Sequence, residues 1–163
     1  MYLAGVFRSG RCIEMTEQKL TVETVAVLES HIDHLTGEEL GHAFAMLQGA
    51  GAVDVIWLPG VMKKNRPGGV FRAICMPDKV EEVQTAFFRH THTLGIRRSF
   101  VERVILPREE MMVETVHGSL EAKCYEVEGT VYTRVEFEAL VRAAAREETG
   151  LPAMRFVSKK SDF

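Results

Sequence analysis

The residues best suited to chemistry in this sequence belong to a short basic turn, "VMKKNRPGGV" (61–70). Three cations and an amide are followed there by a proline and two glycines: Lys63, Lys64, Asn65, Arg66, Pro67, Gly68 and Gly69. A hairpin turn cannot bury three cations, so their side chains must face water or an anion. Arginine offers a planar fork to phosphate oxygens, and glycine N–H groups favour anions. The pattern fits either a phosphate or carboxylate clamp or a solvated turn that protects a sheet edge.

A second cluster, "THTLGIRR" (91–98), also carries groups that could bind an anion: Thr91, Thr93, Gly95, Arg97 and Arg98. The segment follows a predicted helix, so the side chains and Gly95 would have to do the binding, without help from a helix N-terminus. The sequence leaves open whether this cluster meets the basic turn.

A third cluster, "LESHIDHLT" (28–36), links the first predicted strand to the first predicted helix and holds Glu29, His31, Asp33 and His34. Carboxylates beside a phosphate site commonly hold a divalent cation. The free N–H groups of the helix that begins at Thr36 would point toward the same loop. The alternative is that Ser30 and Asp33 only satisfy the loop backbone.

The elements that must position these clusters follow the order strand, helix, strand, strand, helix, strand. Thr36 and Glu39 form a capping box for the first helix, and its apolar face recurs at helical spacing. The pattern predicts strands at 21–29, 53–58, 70–76 and 97–106 and helices at 35–52 and 77–95. This order predicts an α+β fold, a ferredoxin-like βαββαβ sandwich with both helices on one face of an antiparallel sheet.

The second helix is predicted to start at an Asp78 cap, with Glu81 at the box position and Leu94 facing inward. After Pro107 the pattern changes to a small β-hairpin plus helix subdomain. It comprises a hairpin at 111–127 and a helix at 132–152, the helix capped by Thr133. The predicted organisation is therefore an N-terminal arm or linker, a ferredoxin-like domain and a C-terminal subdomain: 1–20, 21–107 and 108–163.

Composition excludes several classes of protein. The formal net charge of −3 argues against general nucleic-acid binding, and the lack of an aromatic RNP-type strand argues against an RNA-binding sheet. The sequence contains no run of ~18 apolar residues and no basic leader with an apolar core, so neither a membrane span nor a signal peptide is predicted. Cys12, Cys75 and Cys124 are widely spaced, which favours a reduced, cytoplasmic protein with buried thiols.

Together these stretches resemble one family, the LarC nickel insertion proteins of nickel-pincer cofactor biosynthesis, in its C-terminal, CTP-binding domain. The resemblance is carried by "ESHIDHLTGEELG" (29–41), "AGAVDV" (50–55), "MKKNRPG" (62–68), "TLGIRR" (93–98) and "ETGLP" (148–152). It covers nearly the whole chain, and "MKKNRPG" with "TLGIRR" at this distance is specific.

The resemblance implies a lyase that uses CTP and Mg²⁺ or Mn²⁺ to insert nickel, the transferred metal, into a pyridinium bis-thiocarboxylate mononucleotide. A cytidylyl group would activate the substrate, with release of pyrophosphate. The family's N-terminal domain has no counterpart here and would come from another chain. The family also points to a homo-oligomer, a trimer or hexamer.

The resemblance also implies roles for individual residues. The triphosphate would be contacted by the basic turn, with further nucleotide contacts from the other cluster: Lys63, Lys64, Asn65 and Arg66, then Gly68, Thr93, Gly95, Arg97 and Arg98. Asp33 would be the main cation ligand, with His31 and His34 beside it.

The segment 28–36, called the acidic loop below, departs from the family pattern, because His31 and His34 stand where the family has Asn and a second Asp. Losing a carboxylate weakens a hard Mg²⁺ or Mn²⁺ site. One alternative is therefore a non-catalytic nucleotide- or anion-sensing module of the same fold. A second alternative is that these histidines and Asp33, with His90 and His92, form a nitrogen-rich site for Ni²⁺, Zn²⁺ or Co²⁺. The simpler reading is that the histidines are exposed or hydrogen-bonded to the backbone.

Overall fold

A computed structural model describes residues 20–155 of the chain. Apart from Leu20, the predicted N-terminal arm lies outside the described residues. The strands and helices are β1 (Thr21–Ile32), α1 (Gly37–Gly49), β2 (Ala52–Met62), β3 (Arg66–Cys75), α2 (Val80–Thr91), β4 (Arg97–Ile105), β5 (Glu109–Thr115), β6 (Gly118–Val127), β7 (Thr130–Val135) and α3 (Phe137–Arg146). No helix within this part is long and apolar enough to cross a membrane.

The described residues divide into two compact units, one spanning Val22–Val104 and the other running from Ile105 onward. In the first unit, four strands form one sheet in the order β2-β3-β1-β4. Strand β3 pairs antiparallel with both β1 and β2. This is the strand order of a ferredoxin-like fold, so the predicted α+β class is confirmed.

The core of the first unit lies between the two helices and one face of the sheet. Phe71 of β3 is fully buried at its centre. Its ring centre lies 5.1 Å from that of Phe44 in α1 and 5.4 Å from that of Phe87 in α2. Aromatic pairs at these separations add to the stabilisation from apolar burial, so one strand residue holds both helices on the sheet.

Helix α1 begins as the sequence predicts. The Thr36 hydroxyl oxygen accepts from the Glu39 N–H at 3.2 Å, and the Thr36 N–H donates to the Glu39 carboxylate at 2.8 Å. This reciprocal box satisfies two N–H groups that the first helical turn leaves unpaired.

Helix α2 differs from its prediction at both ends. A 3₁₀ turn, Pro77–Lys79, precedes the helix, so Lys79 takes the N-cap position that was predicted for Asp78, with no side-chain cap hydrogen bond. The helix ends at Thr91 because His92 adopts a left-handed conformation, with φ 52°. Leu94, predicted to face inward, lies beyond the helix and is fully exposed.

The second unit contains a three-stranded antiparallel sheet in the order β5-β6-β7, and α3 packs on it through Ala139 and Ala143. The hairpin predicted at 111–127 is present as β5 and β6, which a two-residue turn of Val116 and His117 joins. Strand β7 was missed, because its residues were assigned to the start of the last helix. Thr133, the predicted cap, is buried in β7, and the helix begins only at Phe137.

Candidate functional site

One end of the first unit's sheet brings the three predicted clusters together. In the β1–β3 register, Ile32 at the end of β1 pairs with Gly69 near the start of β3. The loop after β1 and the turn before β3 therefore emerge side by side. They border a cavity of about 1080 Å³, whose polar wall comprises His31, Asp33, His34, Lys63, Arg66, His92 and Thr93.

The basic turn is tighter than the sequence predicts. Residues Lys63–Asn65 form a 3₁₀ turn between β2 and β3, with Lys64 at φ 62° and Asn65 at φ 58°. The inclusion of Pro67, Gly68 and Gly69 in the predicted turn is wrong, because these three residues belong to the β3 ladder. Lys63 and Arg66 line the cavity, whereas Lys64 and Asn65 are exposed on the turn and do not.

The two glycines serve close packing within the sheet. A methyl group on Gly69 would overlap the Leu58 carbonyl oxygen and lie 2.9 Å from the Trp57 ring. A methyl group on Gly68 would lie 2.6 Å from the Ile32 carbonyl oxygen and 3.1 Å from the Asp33 Cβ. Gly68 therefore lets the loop after β1 pack against β3. Gly68 itself is not among the residues that line the cavity.

Asp33 faces Arg66 across the mouth of the cavity. The Arg66 guanidinium donates to Asp33 Oδ2 at 3.2 Å, and this hydrogen bond holds the pKa of the Asp33 carboxyl below its usual value. Opposite charges from two separate segments thus meet at one point of the site.

His34 fastens the same loop to the end of α2. Its Nε2 donates to the Thr91 carbonyl oxygen at 2.7 Å, which leaves Nδ1 on the side of Asp33, 3.7 Å from Oδ1. This agrees with the simpler reading of the loop histidines as backbone-bonded residues. His31, on the last part of β1, lines the cavity as well.

The segment after α2 is held against β1 by Ser30, a buried hydroxyl. Ser30 Oγ lies 2.6 Å from Thr93 Oγ1 and donates to the Gly95 carbonyl oxygen at 2.7 Å. Thr93 and Gly95 consequently line the cavity. The Gly95 carbonyl oxygen accepts from both Ser30 and Thr93. Any contact of this segment with an anion would come from side-chain and N–H donors, because a carbonyl oxygen only accepts hydrogen bonds.

Arg97 and Arg98 do not line the cavity and have carboxylate partners elsewhere. Arg97 Nε donates to Glu29 at 3.1 Å, and Arg98 donates to Glu81 at 3.2 Å. Glu29 also accepts from Arg72 at 2.8 Å. A role of Arg97 or Arg98 in nucleotide binding stays a prediction that would require these ion pairs to open.

The Glu29 network gives a prediction on acid stability. Hydrogen bonds from Arg72 and then Arg97 lower the pKa of Glu29 below 4.5 in the folded protein. The resulting stabilisation is present above about pH 4.5 and is lost as the pH falls through the folded-state pKa. We expect Glu29→Gln to lower the free energy of unfolding by about 1 kcal/mol at pH 7. Between about pH 5 and about pH 3, where carboxyl groups titrate, the free energy of unfolding should fall less in this variant than in the wild type.

Urea unfolding across this pH range would measure the effect, with Glu102→Gln on β4 as the control for loss of one exposed carboxylate. If the free energy of unfolding depends on pH equally in the wild type and in Glu29→Gln, the ion pairs of Glu29 do not contribute to acid sensitivity.

Metal ligands are sparse in the described part of the chain. Between residues 20 and 155, no group of three or more His, Cys, Asp or Glu side chains is arranged to hold a metal ion. His90 lies against His42, with ring centres 5.2 Å apart, and lines a separate groove between α1 and α2. The proposed nitrogen-rich site therefore lacks the compact set of ligands that it would need.

The apolar wall of the cavity was missed by sequence reasoning. It is formed by Leu58, Pro59, Val61, Met62, Val70 and Leu94. Strand β2 was predicted to end at Leu58, so Pro59 was left unassigned and Val61 and Met62 were placed in the basic turn, whereas the strand continues to Met62. The apolar residues Pro59, Val61 and Met62, which follow the predicted strand directly, were the available signal that the strand continues.

Comparison with known proteins assigns the chain to a family. A family model described as nickel insertion protein matches residues 3–155. The pyridinium-3,5-bisthiocarboxylic acid mononucleotide nickel insertion protein of Alkaliphilus metalliredigens (strain QYMF) is 38% identical over 129 residues, which cover 79% of this chain. The chain spans only 30% of the length of that relative.

Two solved structures are similar to the model. One is LarC2, the C-terminal domain of a cyclometallase involved in the synthesis of the NPN cofactor of lactate racemase, in its apo form. It matches with a TM-score of 0.74 and 25% identity, over 83% of this chain and 94% of that domain. A protein of Methanopyrus kandleri AV19 shares the fold, with a TM-score of 0.57 and 22% identity over 84% of this chain and 87% of its own. The family match over nearly the whole chain shows that this protein belongs to the LarC family of nickel insertion proteins.

Proposed function

We propose that this chain binds CTP with a divalent cation, as the C-terminal part of a nickel insertion system in nickel-pincer cofactor biosynthesis. The cation would be Mg²⁺ or Mn²⁺, and nickel would be the transferred metal. The name of the Alkaliphilus relative and the similarity to the cyclometallase domain support the pathway.

One observation carries the proposal of nucleotide binding: cationic side chains from the basic turn line the same cavity as a carboxylate from the loop after β1. Lys63 and Arg66 supply the charge that a triphosphate requires, and Arg66 can offer two parallel N–H donors to phosphate oxygens. The Thr93 hydroxyl adds a further polar group to the lining. Leu94 and Val61 supply apolar surface beside them, which suits a ligand with both a charged and an aromatic part.

The available ligands fit a cation of the Mg²⁺ or Mn²⁺ type. Such cations are usually bound in nucleotide sites by one or two carboxylates together with substrate phosphates and waters. Asp33 is a carboxylate of this kind, at the cavity wall and beside Arg66. The cation, when bound, would neutralise the charge that develops on departing pyrophosphate. Lys63 and Arg66 would hold and orient the same phosphates.

The nucleotide site alone would not complete nickel insertion. We propose that a separate N-terminal domain supplies the remaining machinery, and that the chain works as a homo-oligomer in the cytoplasm. The length of the Alkaliphilus relative, of which this chain covers 30%, supports the first point.

A second candidate function is a nucleotide- or anion-sensing module without turnover. The altered loop favours it, because His34 is hydrogen-bonded to the Thr91 carbonyl oxygen and leaves Asp33 as the only carboxylate on the described cavity wall. Binding of CTP without release of pyrophosphate would identify this function.

Calorimetric titration of the purified chain with CTP, with and without Mn²⁺ or Mg²⁺, tests the proposal, and ATP serves as the control nucleotide. We expect selective binding of CTP that the cation strengthens. Absence of CTP binding in either condition would reject the proposed function, and binding that the cation does not change would reject the role of Asp33.

A further inference from the structure

The two groups proposed to hold opposite parts of a metal–nucleotide complex hold each other in this structure. Asp33, the candidate cation ligand, accepts a hydrogen bond at 3.2 Å from Arg66, the candidate phosphate ligand. One Arg66 N–H group and Asp33 Oδ2 are therefore engaged with each other rather than with a ligand.

The contact limits access to the carboxylate more than to the guanidinium. The Asp33 side chain is only 20% exposed, whereas the Arg66 side chain is 57% exposed. Arg66 covers Oδ2, and the His34 ring lies 3.7 Å from Oδ1. A cation that approaches Asp33 must therefore displace a positively charged group from the same carboxylate.

The backbone brings the two partners close together. Asp33 follows the last residue of β1, and Arg66 is the first residue of β3, in strands whose register is set by the pair Ile32–Gly69. Gly68 permits the close approach of Asp33 to β3, because a methyl group there would lie 3.1 Å from the Asp33 Cβ.

We propose that the Arg66–Asp33 ion pair is a latch that makes the binding of divalent cation and of nucleotide mutually dependent. The inference rests on the proposed function of this cavity. Either ligand alone competes with the ion pair for one partner and leaves the other partner without its counter-charge. The two together supply both partners, since phosphate takes Arg66 and the cation takes Asp33. The free energy needed to separate Arg66 from Asp33 is then required only once for the two ligands. Bound cation therefore raises the affinity for nucleotide, and bound nucleotide raises the affinity for cation by the same factor.

If the latch exists, removal of Arg66 should raise the affinity of the protein for a divalent cation, although Arg66 is itself proposed to bind the nucleotide. Without nucleotide, Arg66→Gln should bind Mn²⁺ about fivefold more tightly than the wild type, the scale of an ion pair at a protein surface. Removal of any nearby positive charge also favours a cation, so a matched control is required. Lys63→Gln removes the same charge from the same cavity wall, and Lys63 forms no ion pair with Asp33 among the described residues.

Titration with Mn²⁺ alone, followed by calorimetry, would compare the wild type, Arg66→Gln and Lys63→Gln. A gain in Arg66→Gln that clearly exceeds the gain in Lys63→Gln supports the latch. Equal affinities in the two variants, or no measurable Mn²⁺ binding in either, would overturn it.

A reciprocal experiment uses CTP without a divalent cation. Asp33→Asn removes the ion-pair partner of Arg66, so the affinity of this variant for metal-free CTP should rise. Mn²⁺ should then no longer strengthen the binding of CTP. A loss of metal-free CTP affinity in this variant would contradict the latch. If the wild type binds no CTP even with Mn²⁺, the proposed function fails, and the Mn²⁺ comparison still decides whether Arg66 restrains Asp33.

Discussion

Replacing Lys63 and Arg66 together with alanine is expected to lower the affinity for CTP, measured with Mn²⁺ present, by about 100-fold or more. Each charged hydrogen-bonding group contributes about 1.5 to 3 kcal/mol, and ~1.4 kcal/mol corresponds to a factor of ten. Both side chains line the cavity, and neither lies in the hydrophobic core. The loss should therefore appear in binding and leave the thermal unfolding midpoint nearly unchanged.

Two single variants make this result specific. Arg134→Ala removes one exposed cation from β7 of the second unit and should leave CTP affinity unchanged. Lys64→Ala removes a cation from the basic turn itself, but from a position that does not line the cavity. We expect it to weaken binding by no more than about fivefold, as an exposed charge acting at a distance. A double variant that binds CTP as well as the wild type would remove the basic turn from the site.

The contrast between Lys63 and Lys64 shows where sequence reasoning on the site ends. The sequence identifies the basic turn, the acidic loop and the "THTLG" segment as groups that could bind an anion or a cation. It cannot rank neighbouring lysines, because their directions depend on a 3₁₀ turn with two residues at positive φ. Nor does any local pattern reveal that the three segments meet, since this follows from the pairing of β1 with β3 and from the hydrogen bonds of Ser30.

The fold was more accessible from the sequence than the site. The capping box at Thr36 and Glu39 and the alternation of helices and strands predict the order of the first unit, because these signals are local. Strand β7 was missed although Val131, Tyr132 and Thr133 favour strands. A helical spacing of apolar residues continues from there into α3, and only the pairing with β6 separates the two elements.

Gly68 and Gly69 are important in the structure, but for a different reason from the turn that the sequence predicts. Glycine next to proline usually indicates a turn, but here Gly69 pairs with both β1 and β2, and Gly68 pairs with β2. Their conformation needs no positive φ. Their lack of a side chain matters instead, because neighbouring carbonyl oxygens occupy the space.

Gly69→Ala should consequently be among the most destabilising single substitutions in the first unit. The new methyl group would overlap the Leu58 carbonyl oxygen and press on the Trp57 ring, which itself packs against Phe71. A backbone oxygen within a paired strand cannot move without breaking its ladder. Overpacking of this kind costs about 3 kcal/mol, a large part of the total stability of a small domain, which is about 5 to 15 kcal/mol.

Gly60→Ala provides the matched control, because it makes the same chemical change on the neighbouring strand, where nothing lies within 4 Å of the added methyl group. It should alter the free energy of unfolding by less than about 0.5 kcal/mol. Urea unfolding, followed by the fluorescence of Trp57, would compare the two variants with the wild type. Equal stability of Gly69→Ala and Gly60→Ala would mean that β2 and β3 can separate at Gly69 without cost.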